Sequence, residues 1–317
     1  MIRMRGKHPR IGKHLQNVSI PDFVPPISSL VGKRGLVAMK LEAAENDKNQ
    51  IESKLPKTFI KDLHTRPPLL VQRALYPNVS MPHMAHVCLM SSAGSILEND
   101  RFEIRIDAGS NTCSSITTQA ATKVHPMHEG HAYQYTNINL GRNVFLEYVP
   151  EQIIPYKSSK YNQEVSINVS DDSFMMYTET LSAGRIASNE VFDFDVCILK
   201  TRISNNEKEL ILSDIIRLEP LKNKKEFMYT FGNKVVMLTA YVVTGEWNRL
   251  FLADKMTRIL GENDKNLSGF SKMPNGRGYV VRVLSDSMDD IVIVRRSLVN
   301  MVRNAYSFRS VSARLKY

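Results

Sequence analysis

Arg101-Phe102-Glu103-Ile104-Arg105-Ile106-Asp107 alternates strictly, with Phe102, Ile104 and Ile106 in every second place and charged residues between them. In an extended chain successive side chains point to opposite faces, so this heptapeptide predicts a strand with one apolar and one polar face. The same period returns further on. Residues 143–149 carry Val144, Leu146 and Tyr148 on one face, and residues 163–169 carry Val165, Ile167 and Val169. Residues 190–199 alternate through Phe192, Phe194, Val196 and Ile198.

Short, turn-like sequences separate these runs: Asp107-Ala108-Gly109-Ser110, Asn139-Leu140-Gly141-Arg142, Ser170-Asp171-Asp172-Ser173 and Ser204-Asn205-Asn206-Glu207. No long helical period intervenes before about residue 245, which argues against βαβ crossovers and predicts strands that pair mainly as antiparallel meanders. The expected fold is therefore mainly β, with layered antiparallel β-sheets in a sandwich-like body. Two helices follow in the C-terminal half. Residues 248–260 space Leu252, Met256, Ile259 and Leu260 at helical intervals and meet Gly261 where a C′ glycine belongs. The second helix starts near Asp286 or Ser287, with Asp289 and Asp290 in its first turn. Its positions Ile291, Val294, Leu298, Met301 and Val302 form one stripe to be buried.

A chain of 317 residues needs no disulfide or metal staple to stabilise its core. Cys88, Cys113 and Cys197 form no CxxC pair, which argues against a thiolate zinc site and for a reducing compartment. No run approaches the roughly 18 apolar residues of a membrane-spanning helix, and the N-terminus lacks an apolar signal segment. The reading is a cytoplasmic protein without a membrane partner. The net charge of +10 is concentrated at the ends. Residues 1–34 hold seven Lys/Arg against one acid, and residues 277–317 hold eight against three, which leaves 35–276 at −1. Such a distribution gives no basic stripe with interleaved aromatics and argues against a nucleic-acid partner. Residues 1–34, with Pro9, Pro21, Pro25 and Pro26, read as a disordered basic leader, and 35–317 as a single domain.

No GxSxG elbow, P-loop, GxGxxG turn or HExxH helix is present, so no catalytic residue is assigned. Histidine is the unevenly distributed residue: five of eight lie between positions 83 and 131. His125, His128 and His131, in VHPMHEGHAY with Glu129, are candidate ligands for a transition metal such as nickel or zinc. The competing reading is a solvated polar loop.

Two further stretches carry a family likeness. Ile116-Thr117-Thr118-Gln119-Ala120-Ala121-Thr122-Lys123 and Leu146-Glu147-Tyr148-Val149-Pro150-Glu151-Gln152-Ile153-Ile154-Pro155-Tyr156 strongly resemble the UreD (UreH) family of urease accessory proteins. Supporting matches are Arg73-Ala74-Leu75-Tyr76-Pro77, Ala85-His86-Val87, Gly94, Asp100, Glu179, Gly184-Arg185, Glu190 and Phe192. The stretch 35–41 is similar to the family's first strand, and 280–303 to its closing strand and helix. The resemblance implies a β-rich layered fold and a metallocentre chaperone that is not an enzyme. Its implied partners are a UreF-like helical accessory protein, a UreG-like GTPase and apo-urease. Its implied cargo is transient nickel(II), with no tightly bound cofactor. Carried onto this sequence, the polar motif positions Asp100, Thr117, Thr118, Glu147, Glu151 and Glu179 are candidates to line a nickel passage. Oxygen ligands suit such a task, because they hold a divalent cation loosely enough to release it. The sequence departs from the family at its glycine-rich turn, where Ser95, Glu98 and Asn99 replace glycines and Asn99 is the residue able to turn left-handed. Two other classes are distinguishable by experiment. One is a metal-dependent hydrolase built on the 125–131 segment. The other is a nucleic-acid-binding module that uses the basic ends.

Overall fold

Strand pairing is unambiguous in the computed structural model, which describes residues 32–45, 55–222, 227, 231–244 and 252–314. Of the expected leader 1–34, residues 1–31 lie outside the described residues, as does the expected helix start at 248–251, while Arg34 already begins a strand. The described chain forms β1 (Arg34–Ala43), β2 (Thr58–Arg66), β3 (Leu69–Val71), β4 (Ala85–Ser91), β5 (Arg101–Ala108), β6 (Cys113–Thr118), β7 (Thr122–Val124), β8 (Ala132–Leu140) and β9 (Phe145–Val149). It continues through β10 (Ile153–Pro155), β11 (Lys160–Val169), β12 (Phe174–Ser182), β13 (Val196–Asn205), β14 (Leu210–Leu218) and β15 (Val236–Val243). Helix α1 (Leu252–Gly261), β16 (Leu267–Lys272), β17 (Gly278–Ser285) and helix α2 (Met288–Arg314) complete it.

Two sheets result. The first has the order β14-β13-β11-β8-β5-β1-β2, and the second runs β16-β17-β15-β12-β9-β6-β4-β3, with β7 and β10 attached beside it. The expected layered, mainly-β body with two helices is present. Its central pairing is not antiparallel, however. Strands β1, β5, β8, β11 and β13 run parallel to their neighbours, as do β4, β6, β9 and β12 in the facing sheet. Antiparallel pairs occupy the flanks, such as β1·β2, β13·β14, β12·β15 and β15·β17. A parallel pair needs a crossover but not a helical one. Here the chain leaves one sheet, runs a strand of the other and returns, so β6 is the crossover between β5 and β8. The local period of two is identical for either direction, and the meander expectation rested on the lack of intervening helices, whose crossover role a strand of the facing sheet takes here.

This coiling places equivalent residues in rows. Met39, Ile106, Ile138, Ile167 and Ile203 sit in register across five strands, each at most 2% exposed. On the opposing wall Tyr148, Tyr177 and Tyr241 stack at 5.6 Å between successive ring centres. The outer surface carries a polar ladder: Asn139 donates to Asp107 (2.7 Å), Asn168 to Asn139 (2.8 Å) and Ser204 to Asn168 (2.6 Å). Cross-strand contacts of this kind fix the register of a sheet.

The second sheet is covered on its other side by the helices, so every residue of β12 is buried. Helix α2 begins as expected: Ser287 Oγ accepts the Asp289 amide at 3.2 Å, and the stripe Ile291, Val294, Leu298, Met301 and Val302 is buried against the sheet. Helix α1 includes Gly261 as its last residue rather than ending before it. The alternation read over 190–199 is partly broken. Phe192 has a left-handed φ of 56°, β13 starts at Val196, and the fully buried residues of its first turn of pleat are Cys197 and Leu199. Among the described residues no helix is long and apolar enough to cross a membrane.

Candidate functional site

Polar side chains in the space between two sheets are costly unless partnered, so their positions are informative. A cavity of about 250 Å³ lies there. One end is formed by the loop 91–96 and the TQAATK segment 118–123, where Ser91, Gly94, Gln119 and Ala120 are exposed. The inner walls carry Gln134, Gln163, Tyr148, Tyr177 and Glu179. Thr118, Glu151 and Glu179, three of the six passage candidates, meet around this single space.

Glu179 is the chemical centre of the cavity. It is 3% exposed, and one carboxylate oxygen accepts from Gln163 Nε2 (2.7 Å) and Tyr177 Oη (3.0 Å). Gln163 Oε1 accepts in turn from Gln134 Nε2 at 3.3 Å. Burial pushes the Glu179 carboxyl up to about 7, against the opposing pull of the Tyr177 and Gln163 hydrogen bonds. Glu151 stands at the rim, where Arg295 Nη2 of α2 reaches its carboxylate at 3.0 Å. Thr118 Oγ1 accepts the Glu151 amide at 2.9 Å, so the two family motifs are stitched together at the cavity wall.

The other three candidates lie elsewhere. Thr117 faces away from the cavity and donates to the Val149 carbonyl at 2.8 Å. Glu147 points to the helix side of the sheet, where Arg303 grips it. Asp100 accepts from the Lys33 and Leu97 amides at 2.7 and 2.8 Å and pairs with Lys33 Nζ at 3.0 Å. Its carboxylate closes the turn before β5, and Asn99 beside it takes the left-handed conformation that the departure from the glycine-rich turn required, with φ 64°.

The histidines do not gather. His125 packs against the Tyr156 ring at 4.9 Å, and His128 is exposed. His131 is buried, and its Nε2 accepts from Arg101 Nη1 at 3.1 Å. Burial and then the Arg101 charge push that imidazole down to about 4. Among the described residues no group of three or more His, Cys, Asp or Glu is placed to hold a metal ion. The loop owes its shape to Glu98, whose carboxylate accepts the amides of His128, Glu129 and Gly130. These hydrogen bonds, Gly130 first, hold the Glu98 carboxyl below its ordinary value.

Sequence reasoning missed Gln163, Gln134 and Tyr177. The signal for Gln163 was present, since it occupies the same inward phase as Val165, Ile167 and Val169. A polar residue that interrupts an apolar inward row, here between Tyr161 and Val165, marks a site where that row meets a cavity.

The family model described as "UreD urease accessory protein" matches residues 48–316. A urease accessory protein UreD from Cenarchaeum symbiosum is 33% identical over 235 residues, covering 74% of this chain and 82% of its own. Urease accessory protein UreD 2 of Brucella ovis is 30% identical, covering 74% and 78%. Urease accessory protein UreD 3 of Methylorubrum populi is 27% identical, covering 81% and 83%.

Proposed function

Because this chain belongs to the UreD family of urease accessory proteins, we propose that it serves urease maturation as a scaffold through which nickel(II) reaches the apo-enzyme. In this reading it works with a UreF-like helical accessory protein and a UreG-like GTPase, and the assembly docks on apo-urease. Nickel is the cargo and is not retained. GTP hydrolysis by the partner drives the cycle, and this chain performs no catalysis of its own.

The observation that carries the reading is the cavity around Glu179, with Thr118 and Glu151 on its walls. Its oxygen donors are spaced along the walls, as suits a cation that must move on. Of the two carboxylates Glu179 is the enclosed one, so a cation there would be stripped of water and dependent on protein oxygens.

Reconstitution tests the proposal. Apo-urease, nickel, bicarbonate, GTP, the helical partner and the GTPase are combined with and without this chain, and ammonia release is followed. Activation that depends on this chain, and that falls with Glu179→Ala while the complex still assembles on size exclusion, is the expected result. Activation independent of the chain, with every other component shown competent, overturns it.

A further inference from the structure

The cavity ends at Glu179, but the polar row does not. Glu179 on β12 is paired with Thr239 on β15, and Thr239 with Arg282 on β17. Residues paired across strands share a face, so all three project toward the opposing sheet. The row spans two strand spacings, roughly 10 Å. Its flanking rows are apolar or aromatic: Tyr177, Tyr241 and Val280 on one side, Leu181, Met237 and Leu284 on the other. Thr239 is fully buried, and among the described residues its Oγ1 has no hydrogen-bond partner. A hydroxyl in that position is costly for stability alone, since valine would fill the same volume without the penalty.

The row reaches solvent at an ion pair. Arg282 meets Asp214 Oδ2, which also accepts from Tyr241 Oη at 2.8 Å. Asp214 belongs to β14, the edge strand of the other sheet, so the pair bridges the two walls on the side away from the 91–96 loop. The Asp214 side chain is 16% exposed and that of Arg282 51%. The carboxylate is therefore held inside while the guanidinium has solvent to swing into.

Resting on the passage reading above, we infer that the Arg282–Asp214 pair is a gate at a second mouth of that passage, opened when a divalent cation takes the Asp214 carboxylate from the guanidinium. The exchange is one of partners only: Asp214 loses its contact with Arg282 and gains the metal, and Arg282 turns outward to water. Thr239 supplies a neutral oxygen between Glu179 and the gate. Arg282 repels a cation until the carboxylate engages it, which keeps the passage closed to idle ions.

Full-length chain in complex with its helical partner, the GTPase and apo-urease tests this with Asp214→Asn, Arg282→Gln and Glu179→Gln. Asp214→Asn should slow activation about tenfold with assembly intact. Arg282→Gln should preserve activation, and with apo-urease withheld the loaded complex should lose nickel to a chromogenic chelator about tenfold faster than wild type. If Glu179→Gln impairs activation while both gate variants behave as wild type, the gate is wrong and the passage stands. If all three activate normally, the passage itself falls. If Asp214→Asn and Arg282→Gln both lose the complex on size exclusion, the pair is a structural cross-link and the gate is overturned.

Discussion

Arg303 of α2 grips both carboxylate oxygens of Glu147 on β9, with Nε–Oε1 at 2.9 Å and Nη2–Oε2 at 2.8 Å, at a point where Glu147 is wholly buried. This two-pronged pair bolts the helical layer to the second sheet. Burial raises the Glu147 carboxyl, and the guanidinium opposes it. Removing one partner strands the other. Arg303→Met leaves a dry, uncompensated carboxylate and should cost about 3–5 kcal/mol in urea unfolding. Glu147→Leu should cost less, because the Arg303 side chain is 25% exposed and keeps a route to water. Combining the two should restore much of the loss. A double variant as unstable as the sum of the singles would contradict the coupling.

Glu179 sets a pH slope on stability. Its carboxyl is raised from 4.5 to about 7 in the native state, so across that window the folded chain holds a proton that the unfolded chain has released. Stability therefore falls as pH rises from 4.5 to 7 and levels off on either side, by about 3 kcal/mol in all. Glu179→Gln removes this component. Denaturant midpoints at pH 5 and pH 8 should differ by less in the variant than in the wild type, and equal differences would refute the assignment.

The isoleucine row gives a graded packing test. Ile167 is fully buried between Ile138 and Ile203. Ile167→Val should cost about 1 kcal/mol and Ile167→Ala about 2–5 kcal/mol, the excess reflecting an unfilled cavity between rigid neighbours. Equal costs for the two substitutions would mean that the row collapses onto the gap.

Gly278 opens β17 at a φ of 151°, and a Cβ there would overlap the Val242 carbonyl. Gly278→Ala should lower stability by more than about 1 kcal/mol. Gly269→Ala on the edge strand β16 meets nothing within 4 Å and should stay within about 0.5 kcal/mol of wild type. Thermal melts of the pair separate backbone strain from a general intolerance of glycine replacement.

Strand faces were readable because alternation is a local property. Phe102, Ile104 and Ile106 are buried as their period required, as is the α2 stripe from Ile291 to Val302. Strand direction was not readable, since it depends on where the chain goes between strands. Glu147 shows the same boundary. Its phase put it opposite Leu146 and Tyr148, yet nothing local announced that the opposite face would be covered by a helix whose arginine lies 156 residues away. Glu179 entered through family likeness, and its partner Gln163 was visible only as a polar residue out of keeping with its row. The spacing of His125, His128 and His131 is real, but spacing of three in a loop fixes no common direction. Glu98, 30 or more residues upstream, decides how that loop turns.

The outer polar ladder records how the chain is wound. Asn139 reaches back 32 residues to Asp107, Asn168 reaches back 29 to Asn139, and Ser204 reaches back 36 to Asn168. One circuit of about thirty residues therefore adds one rung to each wall, and no hairpin joins neighbouring rungs. A rung in the first sheet finds its partner one circuit away, so pairing it costs the closure of a loop of about thirty residues rather than of a hairpin turn. It also means that the walls lengthen together. An inserted or deleted circuit would shift both by one strand and leave each remaining row in phase.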